Sequence, residues 1–226
     1  VQEPRPQFTA FWLFSRRDSW RDQLHGSWDD AVQEFTSLID TPSEGVSVRA
    51  SYSLMGLRPD VDMMLWVHAD QLDQITDYAV KLDQTAIGRA LHRAQGYIGG
   101  AGGSQYDREH APAFIKGLEP KRYLSVYPFI KTTEWYLLEF PERRRLMLEH
   151  GELGREYPEL LTNTVNSFGL QDQEFIVAIE GDDPMRLMKM VQQLRAAEVR
   201  VYTSLDTPIY LGEKKSITDV LADIKG

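Results

Sequence analysis

Residues 56–70 read GLRPDVDMMLWVHAD, and residues 169–183 read GLQDQEFIVAIEGDD. Each stretch opens on a Gly-Leu pair, crosses a polar turn, runs through an apolar strand and ends in aspartate ahead of a helix. They stand 113 residues apart, half of the 226-residue chain. The same offset separates FTAFWLF, beginning at Phe8, from KRYLSVYPFIK, beginning at Lys121. A fixed period of this kind marks two copies of one folding unit.

Working outward, each copy reads strand, helix, strand, strand, helix, strand. In the first, Ser27 with Asp30 three residues on starts a helix. Ala31, Phe35, Leu38 and Ile39 share one face of it. Strands are expected at about 46–56 and 61–69. Asp70 is the expected cap of a helix over roughly 71–84, with Leu72, Ile75, Ala79 and Leu82 inward. In the second copy, Pro141 suits a first helical position. Leu146, Met147, His150, Leu153 and Tyr157 then line one side. Strands are expected near 164–170 and 174–180, a helix over about 184–199 behind Asp183-Pro184, and a last strand in RVYTSLDTPIYLG. This order is the ferredoxin-like βαββαβ arrangement, so the fold class is α+β with duplicated units. Residues 86–120, which include GGAGGSQYDREHAPAF, read as a connector. The division is therefore an N-terminal half at 1–96, a connector at 97–120 and a C-terminal half at 121–226.

The chain has no cysteine. Disulfides, thiolate metal sites, iron–sulfur clusters and thiolate-ligated haem are excluded, and a reducing cytoplasm fits. The net charge of −9 disfavours nucleic acid, and an anionic ligand would need a local basic pocket. No apolar run approaches the roughly 20 residues of a membrane span, so membrane insertion is not expected. The opening VQEPRPQ shows no basic region leading into an apolar core, so no secretory signal is read there.

Five histidines are present: His25, His68, His92, His110 and His150. None has the spacing of a multi-histidine metal site, but a single imidazole suffices where a macrocycle supplies the other ligands. His150 sits on the apolar side of its helix with Gly151 and Gly154 beside it, leaving room for a flat group. Its repeat equivalent is Ser37, so the feature belongs to one half only. A satisfied core histidine remains the alternative. On the strand at 121–131, Tyr123, Ser125, Tyr127, Phe129 and Lys131 share a face, and Pro128 is expected to bend the strand. Tyr127 and Lys131 lie roughly 13 Å apart on an ideal strand, the span of a macrocycle. Ordinary sheet packing is the competing reading. Arg143-Arg144-Arg145 reads as a solvated face or a subunit contact.

YPFIK at 127–131, EWYLL at 134–138, PERRRLMLEHGELGREY at 141–157 and QQLRAAEVR at 192–200 resemble the coproheme decarboxylases of the chlorite-dismutase-like superfamily. The likeness is closest over 121–200. REHAP, with His110, resembles the actinobacterial branch. The resemblance implies a dimeric α+β barrel within one chain and a homopentamer. It implies binding of iron coproporphyrin III (coproheme) in the C-terminal half, and hydrogen-peroxide-dependent decarboxylation of propionates 2 and 4 to vinyl groups, giving haem b. A transient contact with the coproporphyrin ferrochelatase is also implied. Carried over residue by residue, His150 is the axial iron ligand, and Tyr127 the radical that takes hydrogen from the propionate. His110 is the distal base toward peroxide. Trp135 is a pocket wall or secondary radical, and Lys131, Arg195 and Arg200 are the propionate-binding cations. Where chlorite-decomposing relatives carry a distal arginine, this chain has Asn163 or a near neighbour, which disfavours chlorite chemistry. A non-catalytic haem carrier or sensor, or a chlorite- or dye-acting haem enzyme, are the alternatives.

Overall fold

The computed structural model describes residues 7–18, 20, 24, 26–101 and 111–225; His25 and His110 lie outside them. The chain divides into two units, one made of residues up to 100 together with 212–226, the other of 101–211.

In the first unit, β1 (Gln7–Arg16) pairs antiparallel with β3 (Met63–Ala69), from Phe8 opposite Ala69 to Phe14 opposite Met63. β2 (Val46–Ser53) pairs with the other edge of β3, with a register shift between Val48 and Ala50. α1 (Trp28–Asp40) follows β1, and the Ser27 hydroxyl accepts from the Asp30 amide at its start. α2 (Leu72–Gln84) follows β3 and buries Ile75, Tyr78, Ala79 and Leu82. A short α3 (Ala86–Ala90) leads into β4 (Leu91–Ala101), which completes the βαββαβ order. Trp12, Phe14, Phe35, Met63, Leu65, Val67, Tyr78 and Leu82 form one buried cluster with many neighbours.

The second unit repeats the order. β5 (Tyr123–Lys131) pairs antiparallel with β7 (Phe175–Gly181), and β6 (Leu161–Asn166) pairs with the far edge of β7. A short α4 (Thr133–Leu137) and the longer α5 (Phe140–Arg155) lie between β5 and β6. α6 (Pro184–Leu194) follows β7, capped by the Asp183 carboxylate accepting from the Met185 amide. A 3-10 turn at Glu198–Tyr202 leads to β8 (Thr203–Leu205), which pairs with the end of β5. Gly56 and Gly169, the glycines that flag the repeat, both hold left-handed backbone, at φ 77° and 72°. That region is cheap only for glycine, which explains why the sequence signal sits there.

Several expectations are corrected. The first part of the predicted connector is α3 and β4; Gly99 and Gly100 lie inside the strand, and Ala113 and Phe114 are buried. Leu91, Tyr97 and Gly99 are inward on β4, a period that the glycine-rich composition obscured. Gln71, not Asp70, caps α2, and its side chain and that of Gln74 form a capping box. α6 stops at Leu194, because the next turn tightens into the 3-10 segment. The β5–β7 register runs unbroken through Pro128, and the irregularity lies between Ile130 and Lys131 against β8. The closing stretch is the 3-10 turn, β8 and β9 (Tyr210–Lys215), followed by α7 (Ile217–Lys225). The 121–226 division kept these last residues with the second half. Those from 212 on join the first, Ser51–Ser53 pairing with Glu213–Lys215 and Val220, Leu221 and Ile224 entering its core, while the 3-10 turn and β8 stay with the second.

Candidate functional site

Two apolar clusters of the second unit concern the predicted site residues. One gathers Tyr127, Tyr157, Leu160, Ile179, Leu187 and Met190. The other gathers Trp135, Leu146, Ala197 and Val199, with Leu138, Met147, Leu153 and Tyr202 against it. α5 and the residues just beyond it serve both, since Met147 and Leu153 pack on the Trp135 cluster and Tyr157 on the Tyr127 cluster. His150 lies on α5 between Met147 and Leu153. It is half-buried, and its Nδ1 is shielded from solvent. Of the 16 residues of α5, only Leu146 is fully buried. A Cβ built at Gly151 meets nothing within 4 Å, and one at Gly154 reaches only the Met190 methyl. The helix beside the imidazole therefore faces open space.

The aromatic and cationic side chains expected at the site come together in this unit. Tyr127 is buried on β5. Burial, assisted by the Asp206 carboxylate, pushes its phenol up to about 12, while Arg195 and Arg200 oppose the shift. Arg195 caps the C-terminal end of α6, and Arg200 sits on the 3-10 turn. Both guanidiniums contact Oδ2 of Asp206 at 2.8 Å. Lys131, at the end of β5, places Nζ 4.4 Å from the Trp135 ring centre and 5.2 Å from that of Phe129. Burial brings its ammonium down to about 8, against the pull of Glu174 and with the help of Arg200. Arg200 thus acts on both Tyr127 and Lys131. The Lys131 amide and the Tyr136 hydroxyl both donate to Glu174 Oε2 at 2.7 Å. Trp135 is buried and packs its ring 5.8 Å from that of Tyr202.

Two acidic residues of this neighbourhood, Asp206 and Glu174, escaped the sequence reading. Asp206 lies in a segment read as a strand, where a carboxylate six residues after Arg200 gave no periodic signal. Asn163 is not part of the cluster. Its amide is fully buried, accepting from the Phe114 amide at 2.9 Å and donating to Glu180 Oε1 at 3.0 Å, so it ties residues near 114 to β6 and β7. Arg145 pairs with Glu142 and Glu198, which joins the solvated face of α5 to the 3-10 turn. His68, on β3 of the other unit, is held down to about 4 by burial and by Arg49, so it is neutral at pH 7. Among the described residues no group of three histidine or acidic side chains is arranged to hold a metal ion.

A family model described as chlorite dismutase matches residues 29–215. The chain belongs to the chlorite dismutase family. A coproheme decarboxylase from Mycolicibacterium smegmatis is 36% identical over 206 residues, covering 86% of this chain and 85% of that protein. A mutant chlorite dismutase from Candidatus Nitrospira defluvii superposes with a TM-score of 0.86 at 24% identity, over 97% of this chain and 96% of the other. The structure of chlorite dismutase from the same organism in complex with imidazole gives 0.85 at 23%, over 97% and 95%. These likenesses establish the duplicated α+β fold of the family member described here.

The residues present fit an iron tetrapyrrole with acidic arms. An imidazole stands on a helix whose adjacent glycine leaves space, an aromatic wall lies nearby, and three cations gather in a protein of net charge −9. A carboxylate brought near a low-dielectric slot without such cations is costly.

Proposed function

We propose that the chain is a hydrogen-peroxide-dependent coproheme decarboxylase, converting two propionates of iron coproporphyrin III to vinyl groups and releasing haem b. The observation that carries this reading is the buried phenol of Tyr127 beside the Arg195–Arg200 pair, in the same unit as His150 and the open face at Gly151. The coproheme decarboxylase relative supports the substrate, and the apolar and cationic surroundings support a macrocycle with carboxylates.

Each decarboxylation balances as one propionate carboxylate, one peroxide and one proton giving a vinyl group, carbon dioxide and two waters. Bound coproheme supplies the iron at which peroxide is reduced and is also the compound that loses its carboxylates. His150 holds the iron through a neutral imidazole nitrogen. Tyr127 keeps its proton at pH 7; it would first give its hydrogen atom to the oxidant that peroxide supplies and, as the phenoxyl, would then take one from the propionate β-carbon. Lys131, Arg195 and Arg200 hold propionates, Lys131 as a point charge and the arginines through paired donors. Trp135 walls the pocket, and the cation over its ring steadies its position. His110 is the base that takes the proton of peroxide, a task that suits histidine, whose reference pKa is about 6.5.

The reading places the protein in the cytoplasm as a homopentamer, meeting the ferrochelatase that makes its substrate. The absence of cysteine supports the compartment. The exposed Leu137, Phe140, Met185, Met188 and Val201 offer apolar surface for subunit contacts. Among the described residues no helix is long and apolar enough to cross a membrane.

The test mixes purified protein with ferric coproheme and titrates peroxide, following products by mass spectrometry. A three-propionate intermediate and then haem b are expected; their absence overturns the reading. His150→Ala is expected to remove the axial-imidazole absorption spectrum of the bound complex.

A further inference from the structure

Arg195 and Arg200 reach the same atom, Oδ2 of Asp206, through one nitrogen each, at 2.8 Å. Two guanidiniums converge in this way only around an anion, since like charges otherwise repel. Exposure is unequal within the cluster: the Asp206 side chain is 14% exposed, those of Arg195 and Arg200 41% and 33%. The carboxylate is the covered partner and the cations face outward. A guanidinium offers five donors, so both arginines keep donors for a second anion. Two cations against one anion leave a local charge of +1, set in a chain that is otherwise acidic. The exposed sides of both guanidiniums are open to a competing carboxylate, and the cost of the exchange is that of leaving the covered Asp206 carboxylate with weaker pairing.

From this geometry we infer that Asp206 is an exchangeable counter-ion, a stand-in for a substrate carboxylate at Arg195 and Arg200. It holds the two guanidiniums together in the empty protein, yields them to one propionate carboxylate of coproheme, and takes them back when that carboxylate is lost as carbon dioxide. The inference rests on the proposed decarboxylase reading and names a positioning residue within it. The exchange takes place within electrostatic reach of the phenol, since Asp206, Arg195 and Arg200 all act on Tyr127. A carboxylate held there is the one presented to Tyr127, and its loss returns the cluster to its starting charge. The arrangement also accounts for why two arginines coexist at a site that must release a less acidic product.

The experiment compares wild type, Asp206→Asn and Asp206→Glu by titration with ferric coproheme and, separately, ferric haem b, in the absence of peroxide. Asp206→Asn is expected to tighten coproheme by about tenfold, the effect of removing one competing charge, and to leave haem b nearly unchanged. Asp206→Glu, which restores the charge, is expected to keep the wild-type ratio of the two affinities. A purely structural role for Asp206 would weaken both ligands together in Asp206→Asn, and that result overturns the inference. Unchanged coproheme affinity in a folded Asp206→Asn protein overturns it as well. If Asp206→Asn fails to fold, Arg195→Gln decides: the inference requires it to lower coproheme affinity more than haem b affinity, and an equal loss for both refutes it. Failure of the wild type to bind coproheme at all would instead strike the decarboxylase reading.

Discussion

The two units share one chain order and differ in what occupies the same repeat positions. At the 113-residue offset, Tyr127 corresponds to Phe14, His150 to Ser37, Arg195 to Leu82 and Arg200 to Ile87. Phe14, Leu82 and Ile87 are all buried in the first unit, inside one apolar cluster. Ser37 turns its hydroxyl back to the Gln33 carbonyl at 2.7 Å. The first unit uses three of these positions for packing, whereas the second carries a phenol, an imidazole and two guanidiniums there. α1 buries three side chains and α2 four, while the longer α5 buries one. Duplication thus leaves one copy whose first helices are anchored by several buried side chains and one whose longest helix is mostly uncovered.

The sharpest way to break this comparison is to make the second unit resemble the first at its phenol. Tyr127→Phe copies Phe14. It removes one hydroxyl from a site already buried among apolar neighbours, so folding and coproheme binding are expected to persist. Turnover is expected to fall by roughly three orders of magnitude, because the side chain no longer gives or takes a hydrogen atom. Single-turnover mass spectrometry with peroxide measures it. Retained decarboxylation would remove Tyr127 from the chemistry.

Next in size is the contrast at positions 82 and 195. Leu82→Ala opens a cavity in a packed core and is expected to cost about 2–5 kcal/mol in denaturant unfolding. Arg195→Ala removes one half-exposed ion pair and is expected to change stability by less than about 1 kcal/mol. Its effect belongs in the coproheme titration instead. If Arg195→Ala were the more destabilising of the two, the division into a packing unit and a binding unit would fail.

Those same positions show what could be read from the chain beforehand. The duplication was visible because Gly56 and Gly169 both need left-handed backbone and the strands after them are strongly apolar. Ser37 opposite His150 already marked one half as different. Asp206 gives no sequence signal for a physical reason: the two guanidiniums that meet on it arrive from a helix end and a 3-10 turn, whose bounds the residue pattern does not mark. β4 was missed because glycine composition outweighed a real period. Candidate groups such as Tyr127 and Arg195 carry a sequence signal and the carboxylate that Arg195 and Arg200 share does not, since an ion pair is defined by contacts across the fold.

A pH series sharpens the comparison further, because it depends on a cation that burial has weakened. Lys131 is charged below about 8 and neutral above, its ammonium lowered from the ordinary 10.5 chiefly by burial. A propionate prefers the charged form. Coproheme affinity is therefore expected to be full below pH 8 and to fall several-fold as the pH rises past it. Binding at pH 8 to 9 is expected to take up protons, because the bound carboxylate raises the lysine again. Lys131→Met should flatten this part of the profile, and a slope that survives the substitution would assign the effect elsewhere.

The smallest expected effect concerns two helical glycines, one in each unit. Gly88 in α3 packs against the end of α2; an added Cβ would strike the Leu82 carbonyl oxygen and come within 2.9 Å of the Asp83 Cα. Gly88→Ala must therefore push backbone apart, and is expected to lower stability. Gly151 in α5 has nothing within 4 Å of the same added atom. Glycine inside a helix is worse than alanine by roughly 0.5–1 kcal/mol, so Gly151→Ala is expected to stabilise the ligand-free protein by about that amount. A glycine that costs stability and touches nothing within its own unit is explained if the vacant side belongs to a ligand. Coproheme affinity should then fall in Gly151→Ala even as the melting temperature rises. Opposite signs for stability and affinity at Gly151, set beside a simple loss of stability at Gly88, are the outcome that the two-unit comparison requires. If Gly151→Ala raised the melting temperature and left coproheme binding untouched, the open face of α5 would not be where the macrocycle lies.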